Sequence, residues 1–221
     1  MDLPNDVNTT ITASQNKWNQ LAQGDTLTAI WCPKGGMNPD WDLAAIECLE
    51  IILKNIPISQ SWKVLDLGCG IGRITKLMSP KCLEIAGVDF SEEMLERAKS
   101  YLSSIDNIQL FLNNGFDLQG FEDATFDFIY SMITLQHIPS RIVIENYILE
   151  IARILKPNGL TRLQTCDGDS FALGSTSPTL YHGHMHSHEF EALLEQVGLS
   201  IVSTEIGTLR PDWIWVTAKR I

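Results

Sequence analysis

Asp66, Gly68, Gly70 and Gly72 occupy every second position of VLDLGCGIGRITKLM, Val64–Met78, where an apolar run gives way to a helix-forming segment. Glycine lets a backbone turn sharply and approach a ligand with no Cβ in the way. The start of a helix carries N–H groups without intrahelical partners, which suit the carboxylate of an amino acid as well as a phosphate. The turn therefore reads as a cradle for a nucleotide-like ligand. It is not the dinucleotide fingerprint GxGxxG, because Arg73 stands where the third glycine belongs. It is not a phosphate loop either, since no GK[ST] follows. A second carboxylate, Asp89, closes the next apolar run 23 residues after Asp66. From there it can accept hydrogen bonds from both hydroxyls of a ribose. The plainer alternative for Asp89 is a helix-capping acid beside Ser91.

Histidine supplies the other candidate chemistry. His137, in TLQHIP, follows an apolar segment and is available as a base, with an ordinary pKa of about 6.5. It equally suits orienting a substrate or stabilising its own loop. His182, His184, His186 and His188 alternate in YHGHMHSHEF. In an extended chain alternate residues share a face, so several imidazoles could converge on a metal. Against this, Ser187 reads as a helix N-cap, which puts His188 inside the helix, and no cysteine or second ligand cluster joins the run. We assign no metal here. His184 and His186 are candidates for lining a substrate pocket, with a solvated loop as the bland alternative.

These residues need elements to position them. From Trp62 onward strand-like and helix-like segments alternate. WKVLDL, CLEIAGVDF, NIQLFL, FDFIYSM and LTRLQTC read as strands, and LSIVSTEIG and DWIWVTAKR supply two more. GRITKLM, SEEMLERAKSYL, RIVIENYILEIARIL and SHEFEALLEQV read as helices, with Ser91 an N-cap, KPNG a helix stop and Gly198 a C′ glycine. Ahead of them lie a short helix at Thr12–Gln23, a Pro- and Gly-dense loop WCPKGGMNP, and a helix in DWDLAAIECLEIIL. Alternation of this kind implies α/β architecture with a mostly parallel sheet covered by helices on both faces. Ligands then bind beyond the carboxyl ends of the strands, where the candidate residues fall.

The ordered motifs resemble those of the class I S-adenosylmethionine-dependent methyltransferases. VLDLGCGIGR is similar to their first motif, GVDFSEEMLERA to their acidic second-strand motif, and FDFIYSMITLQHIP to their fourth-strand motif. RILKPNGL and HSHEFEALLEQVGLSIV resemble the later turn and helix–strand unit, so the likeness runs from about Trp62 to Val202 and more loosely over Trp213–Lys219. It implies a Rossmann-like sheet of seven strands, the last antiparallel, and S-adenosylmethionine as cofactor with S-adenosylhomocysteine as product. By the same resemblance Asp66, Gly68, Cys69, Gly70, Gly72 and Arg73 would face the methionine part, and Asp89 the ribose. Phe90 would pack on adenine or fill core, and Asn114-Gly115 would read the adenine amino group or form only a turn, with Asp117 a rival. Ser131 and Met132 would lie under the methionine moiety, and His137 is the one candidate catalytic residue. Methyl transfer from a sulfonium is an in-line displacement helped mainly by alignment, so a base is needed only where the nucleophile must lose a proton.

The resemblance also implies residues 1–60 as a helical extension or lid bearing Trp31, Met37 and Trp41, with core packing of a helix on the sheet edge as the equal alternative for these side chains, and residues 61–221 as the catalytic domain, one compact domain overall. Composition bounds the rest. A formal charge of −11 disfavours a nucleic-acid partner. Five cysteines with no CxxC pair argue against a disulfide framework or zinc ribbon. No apolar run approaches the roughly 20 residues of a membrane helix, and the polar start MDLPNDVNTT does not read as a signal peptide. The expectation is a cytoplasmic enzyme acting on a small molecule, its oligomeric state not legible. The competing expectations are a non-catalytic binder of the same cofactor, a nicotinamide-dependent oxidoreductase, and a metal-binding module on the histidine run.

Overall fold

The computed structural model describes residues 4–23, 41–167 and 185–221, the side chains of Trp41 and Asp42 excepted. Among them are six helices: α1 (Asn5–Gln23), α2 (Trp41–Ile52), α3 (Arg73–Met78), α4 (Glu92–Tyr101), α5 (Arg141–Ile154) and α6 (Ser187–Gln196). The strands are β1 (Lys63–Leu67), β2 (Glu84–Asp89), β3 (Ile108–Leu112), β4 (Phe126–Ser131), β5 (Leu155–Cys166), β6 (Leu199–Ile206) and β7 (Trp213–Arg220). They form one seven-stranded sheet in the order β3-β2-β1-β4-β5-β7-β6. β7 runs antiparallel to both β5 and β6, whereas β1–β2, β2–β3 and β4–β5 pair in parallel. The Rossmann-like α/β sheet with an antiparallel last strand is as expected. Contacts divide the chain into two compact units, residues 12–115 and residues 1–11 with 116–221.

In the 12–115 unit, β1 and β2 are buried along almost their whole length, Val64, Leu65, Ile85 and Val88 among them. Such continuous apolar runs fit strands covered on both faces. α4 starts where Ser91 caps it, the hydroxyl accepting from the Met94 N–H at 3.2 Å, with Glu92 and Glu93 in the first turn favoured by the helix dipole. α1 begins at Asn5, earlier than the Thr12 start expected from the sequence.

In the 116–221 part, α5 buries Val143, Ile144, Tyr147, Ile148 and Ile151, a 3–4 residue spacing that gives one apolar stripe. Its end corrects one expectation. KPNG does not separate α5 from the next strand, because β5 already begins at Leu155, which pairs with Phe126. Pairing resumes only at Phe128↔Leu160, so the turn residues bulge out of register, with Asn158 in the left-handed region at φ 67°. α6 corrects another: its N-cap is His186 rather than Ser187. The Glu189 side chain reaches back three residues to accept the His186 N–H at 3.0 Å, half of a capping box that Ser187, followed three residues later by Phe190, would not have. Gly198 stands at C′ with φ 84°, as expected.

Candidate active site

The alternating glycines of the β1–α3 turn have a conformational cause. Gly68, Gly70 and Gly72 take φ of 81°, 55° and 83°, the left-handed region that side-chain-bearing residues avoid. They differ in surroundings. A Cβ on Gly72 would lie 2.5 Å from Leu102 Cδ1, whereas one on Gly70 would meet nothing within 4 Å. Gly72 is a packing glycine, and Gly70 borders open space. The N–H groups of Gly68 and Cys69 both donate to the Val88 carbonyl, at 2.7 and 3.0 Å, and that of Gly72 to the Cys69 carbonyl at 2.9 Å. The turn is thereby stitched to the end of β2. Those N–H groups serve the fold, which narrows the expectation that the turn's amides face a ligand.

Asp89, at the end of β2, ties this turn to α4. Its Oδ2 accepts the Gly70 N–H at 2.8 Å and its Oδ1 the Ser91 N–H at 2.9 Å. The capping alternative raised by the sequence is therefore part of the truth: the carboxylate does hold the start of α4. A carboxylate offers about four acceptor sites, so the backbone donors do not exhaust it. Burial pushes the Asp89 carboxyl above its usual range, and the Ser91, Gly70 and Phe90 backbone groups pull it partly back. Asp66 is buried at the end of β1 and accepts the Thr75 hydroxyl of α3 at 2.7 Å. Half-buried Cys69, between them, has its thiol pushed well up by burial and then by the charges of Asp89 and Asp66, which disfavours the thiolate.

Around this core, Phe90 is half-buried and its carbonyl accepts from Gln15 Nε2 of α1 at 2.6 Å. Asn19 Oδ1 accepts the Ser91 hydroxyl at 2.7 Å, and Trp18 and Ala22 pack with Ile71 and Met94. The second half of α1 is thus fastened to the loops after β1 and β2. The Asn113 N–H donates to the Asp89 carbonyl at 3.0 Å and Asn113 Oδ1 accepts from Gly115, so the β3 end joins the same cluster. Asn114 exposes its side chain, Gly115 is buried with φ 76°, and Arg73 is buried at the start of α3.

The 116–221 part holds the other predicted residues. Ser131 and Met132 are buried at the end of β4, and Asp117 accepts the Gln119 N–H in a local turn. His137 is half-buried in a short 3₁₀ turn, Leu135–His137. Sequence reasoning missed what stands behind it. Gln136 and Gln164, 2% and 0% exposed, join side chains at 2.7 Å, and Gln136 Nε2 lies 3.2 Å from His137 Nε2. The available signal was Gln164 itself, a long polar residue inside the apolar strand LTRLQTC. Ile133 is a β-branched residue at φ 57°, its N–H held by Gln164 Oε1 at 2.8 Å. His186 pairs through Nδ1 with Asp167 Oδ1 at 3.1 Å, and its ring stacks on that of His188, centroids 5.6 Å apart. His182 and His184, like Trp31 and Met37, lie outside the described residues. Among the described residues, no three His, Cys, Asp or Glu side chains gather in a way that could hold a metal, and no helix is long and apolar enough to cross a membrane.

Residues 65–163 match the family described as "Methyltransferase domain". The chain is 33% identical over 113 residues to a demethylmenaquinone methyltransferase of Staphylococcus aureus, a match over 49% of this chain and 45% of that one. The chain thus spans a little under half the length of this curated relative. In fold it is similar to the [4+2]-cyclase SpnF, with a TM-score of 0.75 at 15% identity over 96% of each chain. A SAM-dependent methyltransferase from Aquifex aeolicus superposes with a TM-score of 0.63 at 19% identity, over 78% of this chain and 89% of that one.

Proposed function

We propose that this chain is a class I S-adenosylmethionine-dependent methyltransferase that transfers a methyl group to a small-molecule acceptor, a reading supported by the match of residues 65–163 to the methyltransferase domain. The observation that carries the proposal is the Asp89 carboxylate, pinned by the Gly70 and Ser91 N–H groups beside the open space at Gly70. A carboxylate held in this way is an acceptor already oriented for paired hydroxyls, as a ribose offers. The residues present fit the cofactor: left-handed glycines bring backbone close to a ligand, and no Cβ occupies the space beside Gly70. When bound, the cofactor supplies an electrophilic methyl group on a sulfonium.

The chain's own residues then have distinct tasks. Asp89 takes the ribose, and Asp66 holds the turn in shape through Thr75. Gly68, Cys69, Gly70, Gly72 and Arg73 supply the backbone facing the methionine part. Phe90, half-buried, lies against adenine, and Asn114 and Gly115 serve the adenine edge. Ser131 and Met132 are assigned to the methionine moiety, and His137 and His184 to the acceptor. Residues 1–60 act as the lid; the fastening of α1 through Gln15, Asn19 and Trp18 supports that role. His186 is the weaker acceptor candidate, since its ring is occupied with Asp167.

Calorimetric titration with S-adenosylhomocysteine, with NAD as control, tests the reading. Micromolar binding of the first alone is the expected result; no binding, or binding of NAD, refutes it. A second reading is favoured by the fold likeness to the [4+2]-cyclase SpnF: a cofactor-binding protein of this fold that transfers no methyl group. It predicts the same calorimetry but no S-adenosylhomocysteine formed from S-adenosylmethionine across an acceptor screen.

A further inference from the structure

The buried side chains behind His137 determine which of its ring nitrogens carries the proton. Gln164 has an unambiguous orientation because both ends of its amide meet backbone. Its Oε1 accepts the Ile133 N–H at 2.8 Å and its Nε2 donates to the Thr165 carbonyl at 2.8 Å. A backbone N–H cannot accept and a carbonyl cannot donate, so this amide cannot be turned over. The same Nε2 donates to Gln136 Oε1 at 2.7 Å, which fixes the orientation of Gln136 in turn. A second donor agrees, for the Cys166 thiol lies 3.0 Å from that oxygen. Burial first, and Asp212 after it, pushes this thiol up to about 12, so it keeps its proton at neutral pH.

With its oxygen committed to Gln164 and Cys166, Gln136 presents its NH₂ group to His137 Nε2, 3.2 Å away. A donor facing a ring nitrogen requires a lone pair there. The proton of the neutral ring must then sit on Nδ1, and an imidazolium would set two donors against each other. Gln136, Gln164 and Cys166 are all at least 98% buried, so water offers no alternative partner.

We propose that Gln136 and Gln164 are positioning residues that keep the proton of His137 on Nδ1 and engage the Nε2 lone pair, so that this imidazole does not serve its substrate as a proton acceptor. That His137 meets a substrate at all rests on the methyltransferase reading above; the tautomer does not. Any proton the nucleophile loses must leave by another route.

The test is long-range ¹H–¹⁵N correlation of the histidine rings in the full-length ¹⁵N-labelled protein at pH 8, where imidazoles are neutral. His137 is assigned by the signals lost in His137→Phe. The expected wild-type pattern is a protonated, pyrrole-like Nδ1 and a pyridine-like Nε2. In Gln136→Glu the carboxylate becomes an acceptor facing the ring, and the pattern reverses to a protonated Nε2. A wild-type His137 already protonated on Nε2 overturns the proposal, even if the variant fails to fold; so does an unchanged pattern in a folded Gln136→Glu protein. S-adenosylhomocysteine titration of the same samples reports separately. Loss of binding in every sample beside an Nδ1–H imidazole would sink the methyltransferase reading and leave the tautomer assignment standing.

Discussion

Two glycines of one turn with similar backbone angles should fail in opposite ways when each is given a methyl group. Gly70→Ala places a Cβ where no atom lies within 4 Å, at φ 55°. The stability cost is then backbone strain alone, about 1–2 kcal/mol for an L-residue in the left-handed region. Gly72→Ala incurs the same strain at φ 83° and also drives its Cβ to 2.5 Å from Leu102 Cδ1, a side chain only 4% exposed. Overpacking of that kind costs a further 1–3 kcal/mol or so, for a total of roughly 2–5 kcal/mol. For a chain of this size each kcal/mol lowers Tm by roughly 2–4 °C. Cofactor affinity should order the other way. If the open space beside Gly70 is where the cofactor's backbone-facing part lies, the added methyl group removes at least a factor of ten, about 1.4 kcal/mol. Gly72→Ala, measured below its own Tm, should stay within about threefold of wild type, or roughly 0.7 kcal/mol. The assays are urea unfolding for stability and S-adenosylhomocysteine calorimetry for affinity. A Gly70→Ala protein that binds as tightly as wild type would refute the placement of the cofactor at this turn.

The remaining expectations concern single side chains. Asp89→Asn must set its NH₂ group against either the Gly70 or the Ser91 N–H, and should weaken S-adenosylhomocysteine binding by about 1–3 kcal/mol; unchanged calorimetry would misplace the ribose. Because the Asp89 carboxyl is raised by burial, affinity that depends on its ionised form should fall as pH drops, starting above the usual aspartate range. Titrations from pH 8 to 4.5 would show it, and a flat profile would count against the role. Gln164→Leu strands the Ile133 N–H, costing about 1–3 kcal/mol in urea unfolding. His137→Ala should leave S-adenosylhomocysteine affinity nearly intact; a large loss would move that ring into the cofactor shell.

Much of this architecture was legible because parallel strands buried on both faces read as unbroken apolar runs. VLDL and EIAGV could hardly be anything else, and Ser91 before two glutamates marks a helix start by local chemistry alone. The misreadings share a cause, which is dependence on partners far along the chain. His186 rather than Ser187 caps α6 with help from Asp167, 19 residues earlier, although Glu189 three residues on was a local hint. KPNG reads as a stop, yet Leu155 ahead of it is already paired to β4. Gln136 and Gln164 are joined across 28 residues, and no period or motif connects them. A long polar residue inside an apolar strand was the one sign that something buried needed satisfying.

The two halves of the Asp89 question raised by the sequence turn out not to exclude each other. A carboxylate serving only as a helix cap would be held best near the surface, where water shares its charge. Asp89 is instead buried, at a cost visible in the direction of its pKa, and only the three backbone donors offset that cost. The bonds from the Gly70 and Ser91 N–H groups bring the glycine turn and the start of α4 onto one side chain. Such an arrangement lowers stability relative to an apolar contact, but it fixes the carboxylate before any ligand arrives, and orientation settled in advance lowers the cost of binding. Capping is how the fold holds the acceptor still; the raised pKa is the trace of keeping it dry. A variant that relieved the burial while preserving the cap should therefore gain stability in urea unfolding and lose S-adenosylhomocysteine affinity, and the loss of affinity is what a purely structural acid would not show.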